Sequence, residues 1–208
     1  MHMITDYIFI ITAILIAITI HEFAHAWVAT ALGDPTPKND GRLTLNPLKH
    51  IDPIGLLLFV IIRFGWSKPV RINASYFEDR KKGSMWVALS GPLSNLITAF
   101  LFGALLKIAI LFPILNPTVQ RYLMQFLRYG ILFNVIFTVF NLLPIPPLDG
   151  SKLVFGILSP SSYFKMLQYE KILQMLLLLL LFMGILPRFL TPIVVLVENI
   201  IFGVFQLF

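Results

Sequence analysis

ITDYIFIITAILIAITIHEFAHAWVATAL, residues 4–32, is long and apolar enough to cross a bilayer as a helix, yet it contains His21, Glu22 and His25. A span needs about 20 mainly apolar residues, and from Ile8 to Ile20 only Thr12 and Thr19 are polar. In a helix, residues four apart share a face, so His21 and His25 can turn a ring nitrogen toward one metal ion. Glu22 is offset by about 100° on the same turn. It thereby lies beside the open metal position, where it can take a proton from water. Ionisable groups at membrane depth are costly unless paired, so such a cluster marks a functional site.

Composition agrees with a membrane setting. Hydrophobic residues make up 58% of the 208-residue chain, mean hydropathy is +0.86 and charged residues are 12%. Soluble domains run at about 45–50% apolar and roughly 25% charged. A single domain over residues 1–208 is expected at this length. Cysteine is absent, which excludes disulfides and thiolate metal sites and leaves imidazole and carboxylate as ligands. The net charge of +6 does not read as a nucleic-acid surface, because the basic residues lie between apolar spans rather than along one helix face. No cleavable signal peptide is expected, since the first apolar helix carries the chemistry.

The first span stops at Gly33-Asp34-Pro35. Residues 33–53 form a proline-rich polar loop, and 54–64 is apolar but too short to span, which suits a re-entrant segment. Alternation at Val70, Ile72 and Ala74 predicts a short edge strand within 70–76 after Pro69. Spans are predicted from Met85 to Phe112 and from Tyr129, or near Leu123, to Leu143. Pro144, Pro146 and Pro147 must break the helix, leaving unwound backbone at Asp149-Gly150. Residues 151–171 read as a loop or surface helix, and Ile172–Leu186 and Phe189–Phe208 as two closing spans. Lysines and arginines concentrate in 33–83 and 149–171. The positive-inside rule then puts those stretches in the cytoplasm, the N-terminus outside and the site toward the cytoplasmic half of the cell membrane.

A hydrolytic zinc site takes three protein ligands and keeps a fourth position open. Candidates for the third are Asp149, Glu198, Glu170, Asp52 and His50. Seventeen residues from Ile4 to His21 rise about 26 Å, toward the cytoplasmic side. The span from Tyr129 to Asp149 brings a carboxylate to the same level. Non-helical backbone at that depth must line protein or a water-filled cavity, which favours Asp149. His50 and Asp52 read as parts of a structural turn. Asn134, Thr138 and Asn141 form a polar stripe that must face protein or water, and Ser90, Gly91, Ser94, Asn95 and Thr98 form a small, polar face suited to close helix packing, with a bond from Asn95 to the catalytic core as the further reading.

His21-Glu22-x-x-His25 with Asn141-x-x-Pro144-x-x-x-x-Asp149-Gly150 resembles the site-2 protease family, the intramembrane zinc metalloproteases. Gly41-Arg42-Leu43-Thr44-Leu45-Asn46-Pro47 through His50-Ile51-Asp52-Pro53, Gly65-Trp66-x-Lys68-Pro69-Val70 and Ser90-Gly91-Pro92-Leu93-Ser94-Asn95 are similar to its short bacterial branch. The likeness covers residues 1 to about 158. It implies an all-α polytopic membrane protein with a three-helix catalytic core over about 4–158, a re-entrant loop with a short β segment, and two further C-terminal helices over about 172–208. It implies one zinc ion (Zn2+) per chain on His21, His25 and Asp149, with Glu22 as general base. Asn141 would bind substrate or stabilise the oxyanion. The substrates implied are single-span membrane proteins or peptides, cut in or near their membrane segments. No PDZ insertion and no C-terminal nucleotide-sensing domain is expected, so regulation would fall to the re-entrant loop, the last two helices or a partner membrane protein. A metal transporter using the same histidines, and a protease taking Glu170 or Glu198 as third ligand, are the rival readings.

Overall fold

A computed structural model describes residues 2–55, 67–113, 115–157 and 165–207. Its helices are α1 (His2–Ala31), α2 (Thr36–Asn39), α3 (Arg80–Leu111), α4 (Pro117–Asn141), α5 (Asp149–Ile157), α6 (Glu170–Phe182) and α7 (Ile185–Phe205). Four are long and apolar enough to cross a membrane: α1 from Ile4, α3, α4 and α7. The protein is an all-α polytopic membrane protein, as expected.

Each long helix starts where capping chemistry permits. The Asp79 carboxylate accepts the N–H groups of Lys81 and Lys82 at 3.0 Å each, opening α3 five residues before the predicted Met85. Those backbone bonds, that from Lys82 foremost, hold the Asp79 carboxyl below its ordinary range. Asn116 accepts the Val119 N–H at 3.0 Å, and Pro117 follows at the first helical position. The proline's missing donor is no loss there, so α4 is longer than apolar content alone indicates. At the C-terminal end α6 stops at Phe182 and α7 begins at Ile185. Pro187 sits within the first turn of α7, where a helix tolerates it. The 13 residues of α6 rise about 20 Å, short of a full span.

α3 packs on both α1 and α4, with α5 and α7 against it in turn. A core of Ala99, Phe102, Leu106, Leu127, Ile131 and Val135 joins α3 to α4, and Val194 and Ile201 attach α7 to it. Ala13 and Ala17 of α1 are fully buried. Their small side chains let α3 come close.

Two local expectations are corrected. Residues 70–76 form no strand: Ala74–Tyr76 is a 3-10 turn, opened by Asn73 accepting the Ser75 N–H. The Asp34 carboxylate takes the Asn73 N–H at 2.7 Å, and the one β-bridge among the described residues joins Ile51 to Ser67. Ile72 and Ala74 instead pack against Ala29, Phe77 and Val87, so their alternation records burial rather than strand pairing. The backbone at Asp149-Gly150 is not unwound, because Asp149 is the first residue of α5 and the broken stretch lies before it. The predicted re-entrant segment 54–64 falls largely on residues outside those described.

Gly150 brings α5 against the end of α4. A Cβ there would lie 2.3 Å from the carbonyl oxygens of both Leu142 and Leu143, and backbone cannot yield as a side chain can. Gly150→Ala should cost about 1–3 kcal/mol, the usual penalty of overpacking, and lower the thermal midpoint in detergent. A midpoint equal to wild type would show that the turn has slack.

Candidate metal centre

His21 and His25 project from one face of α1 with ring planes at 90° and centroids 4.5 Å apart. Crossed in this way, both rings turn Nε2 toward the same point. Asp149, placed by the first turn of α5, brings Oδ2 within 3.0 Å of each Nε2, and the two nitrogens are also 3.0 Å apart. Among the described residues this is the one group of His, Cys, Asp or Glu side chains arranged to hold a metal. His21, His25 and Asp149 are each 6–7% exposed.

The outer nitrogens set the tautomers. His25 Nδ1 donates to the Val87 carbonyl at 2.7 Å, an acceptor only. His21 Nδ1 lies 2.8 Å from Asn95 Oδ1. The Asn95 amide cannot be flipped without loss, because its Nδ2 donates to Ala17 O at 2.9 Å and to Asn134 Oδ1 at 3.0 Å. Asn134 is itself oriented by donating to Gly130 O at 2.8 Å. Both Nδ1 atoms therefore carry the proton of a neutral ring, and both Nε2 atoms present lone pairs. Two lone pairs and a carboxylate oxygen meeting at one point repel unless a cation lies among them. A single proton could bridge one edge of that triangle, whereas a divalent ion satisfies all three corners.

The donors also suit the metal. Tetrahedral zinc with bonds of about 2.0–2.1 Å separates its ligands by about 3.3 Å, close to the 3.0 Å triangle. Acceptors such as Asn95 Oδ1 and Val87 O on the outer nitrogens fix ring orientation and raise ligand basicity. Burial alone opposes ionisation of Asp149, so its carboxylate calls for a cation beside it. Its other oxygen, Oδ1, faces Lys152 Nζ at 3.5 Å, which leaves Oδ2 to the histidines. Gly91 lies directly across from the rings: a Cβ there would come within 2.5 Å of both His21 Cε1 and His25 Nε2.

Glu22 is 7% exposed. Its Oε1 accepts the Ser67 hydroxyl at 2.7 Å, and its Oε2 accepts the Val70 N–H at 3.2 Å. Asn141, the last residue of α4, donates to Phe137 O at 3.0 Å and forms no hydrogen bond to the cluster among the described residues. Asp52 accepts the Ile54 and Gly55 N–H groups and His50 pairs with Thr44 O, so both serve the turn as expected. Glu170 opens α6 and Glu198 lies in α7; neither enters the group.

A model of peptidase family M50 matches residues 107–184, the stretch that carries Asp149. A Bacillus subtilis protein named "Putative zinc metalloprotease YwhC" is 38% identical over 163 residues, covering 78% of this chain and 74% of that relative. The chain belongs to peptidase family M50. It is a metalloprotease of the site-2 type. "Putative zinc metalloprotease Rip2" of Mycolicibacterium smegmatis is 34% identical over 160 residues, where this chain spans 57% of the relative's length. "Putative zinc metalloprotease MJ0611" of Methanocaldococcus jannaschii is 32% identical over 103 residues, 49% of each chain. No solved structure matches.

Asn95, Asn134 and the Val87 carbonyl orient the two imidazoles of the cluster. Asn95→Leu should leave the fold intact and weaken metal binding about 10–100-fold, the usual effect of losing such a partner. Competition with a chelator measures this directly; an affinity equal to wild type would remove Asn95 from the account.

Proposed function

We propose that the protein hydrolyses peptide bonds in or near the transmembrane segments of single-span membrane proteins, using one zinc ion per chain held by His21, His25 and Asp149, with Glu22 as general base. The observation carrying this reading is the triangle of lone pairs at membrane depth with a carboxylate on the adjoining residue. When bound, zinc supplies a Lewis acid for the scissile carbonyl and acidifies water beside it.

The chain's own residues do the rest. Glu22 takes a proton from the attacking water as its oxygen bonds to the carbonyl carbon, and delivers that proton to the amine as the C–N bond breaks. Asn141, the last residue of α4, contacts the substrate or its oxyanion. A membrane helix hides its carbonyls in its own hydrogen bonds, so it must unwind before it is cut. The Val70 and Asn73 N–H groups are taken by Glu22 and Asp34, so Arg71 and Ile72 between them, without a β-partner among the described residues, offer the main-chain groups for edge addition of that unwound segment. The basic loops face the cytoplasm by the positive-inside rule, so water enters from the cell interior. A membrane partner supplies regulation.

Glu22→Gln should keep its zinc and lose cleavage of a panel of single-span peptides by at least about 10²–10⁴-fold, the range for removal of a general base. Asp149→Ala should lose both zinc and cleavage. A Glu22→Gln protein that still cleaves, or an Asp149→Ala protein with full zinc content, would refute the assignment. Ile72→Pro should lower cleavage at normal zinc content, and unchanged cleavage would exclude edge addition there.

A further inference from the structure

Arg42 is buried, 5% exposed, and forms no ion pair among the described residues. A charge in that position is costly unless its donors are satisfied. Among the described residues its guanidinium donates to main chain alone: to the carbonyls of Lys49 and Lys68, and to that of Pro69 at 2.8 Å. The acceptors belong to two segments separated in sequence. A planar fork of five N–H donors can hold both at once, whereas a lysine ammonium cannot reproduce that spread.

Which carbonyls it holds is informative. Lys68 and Pro69 are the two residues between Ser67 and Val70, and Ser67 and Val70 are the two that bond the oxygens of Glu22. The four-residue strap is therefore gripped from outside at its middle and presses Glu22 at both ends. Lys68 N–H donates to His50 O at 2.9 Å, and Ile51 bridges to Ser67. These contacts seat the strap on the same turn that Arg42 holds through Lys49.

We propose that Arg42 is a positioning residue for Glu22, acting through the Ser67–Val70 strap. This rests on the reading of Glu22 as general base. The carboxylate leaves α1 on a flexible side chain, and a misplacement of about 1 Å in a reacting group can cost on the order of 10²-fold. The strap removes that freedom, and Arg42 removes the freedom of the strap.

The chain has no cysteine, so a single introduced thiol reports on the strap without any turnover. In Ser67→Cys, maleimide labelling should be slow with Arg42 present and roughly tenfold faster with Arg42→Gln, as local opening exposes the site. In the chain with native Ser67, Arg42→Gln should retain wild-type zinc content and lose about tenfold or more in kcat with little change in KM. Arg42→Lys should recover little of it. Unchanged labelling overturns the proposal whatever happens to turnover, and so does loss of zinc alongside turnover, which would make Arg42 structural. Accelerated labelling with wild-type kcat would leave Arg42 a clamp on the strap but refute its role toward Glu22. Should the wild type itself cleave nothing, the proposed function falls, and the labelling arm still judges the clamp.

Discussion

Two imidazole lone pairs and one carboxylate oxygen are aimed at a single point inside a hydrophobic protein, and nearly everything else in the chain serves that convergence. Electrostatics forbids it without a cation, so the fold is organised around charge that the metal must supply. The outer nitrogens matter as much as the inner ones: Asn95 Oδ1 and Val87 O accept from the Nδ1 atoms, which frees both Nε2 lone pairs. Because Asn95 is anchored to Ala17 O and Asn134, and Asn134 to Gly130 O, α1, α3 and α4 are joined by polar bonds at the depth of the ligands. Asp149 arrives separately, on α5, through the close approach that Gly150 permits.

This division of labour has a mechanical consequence. The metal ligands are supported by helices, where packing of Ile131, Val135 and their neighbours leaves little freedom. Glu22 lies on the same helix, but its carboxylate is held by a strap of irregular backbone that joins loops 42–50 and 67–73. Ligands fixed by helices and a base fixed by a loop form a sensible pairing if, as proposed, Glu22 is the base and substrate is received on that strap. Binding there and orientation of the base then share one structural element, so that events at the loop are felt at the chemistry without disturbing the metal.

The parts of the site that were legible in the sequence are those where helical spacing or depth does the reporting. His21, Glu22 and His25 declare themselves by their i, i+4 spacing within an apolar run, and Asp149 by lying at a matching level after the proline cluster. Asn95 is harder to read, because a polar residue among Ser90, Gly91, Ser94 and Thr98 looks first like helix-packing chemistry; a bond to the catalytic core is legible as a second reading, and the fold supplies the partner, His21 Nδ1. The Val87 carbonyl and the Val70 N–H leave no trace, since main-chain donors and acceptors are the same at every residue. The predicted strand failed for an instructive reason. Val70, Ile72 and Ala74 do alternate, but Asp34 and the Asn73 turn capture the backbone groups that a neighbouring strand would need. Helix ends were misjudged where caps outrank apolarity, as at Asp79 and at Asn116-Pro117.

The most direct check is X-ray absorption at the zinc edge of the purified protein, which reads the coordination shell itself. The account predicts a four-coordinate shell of nitrogen and oxygen at about 2.0–2.1 Å, with the outer-shell scattering of two imidazoles and no sulfur. A six-coordinate, all-oxygen shell, or one imidazole in place of two, would contradict it.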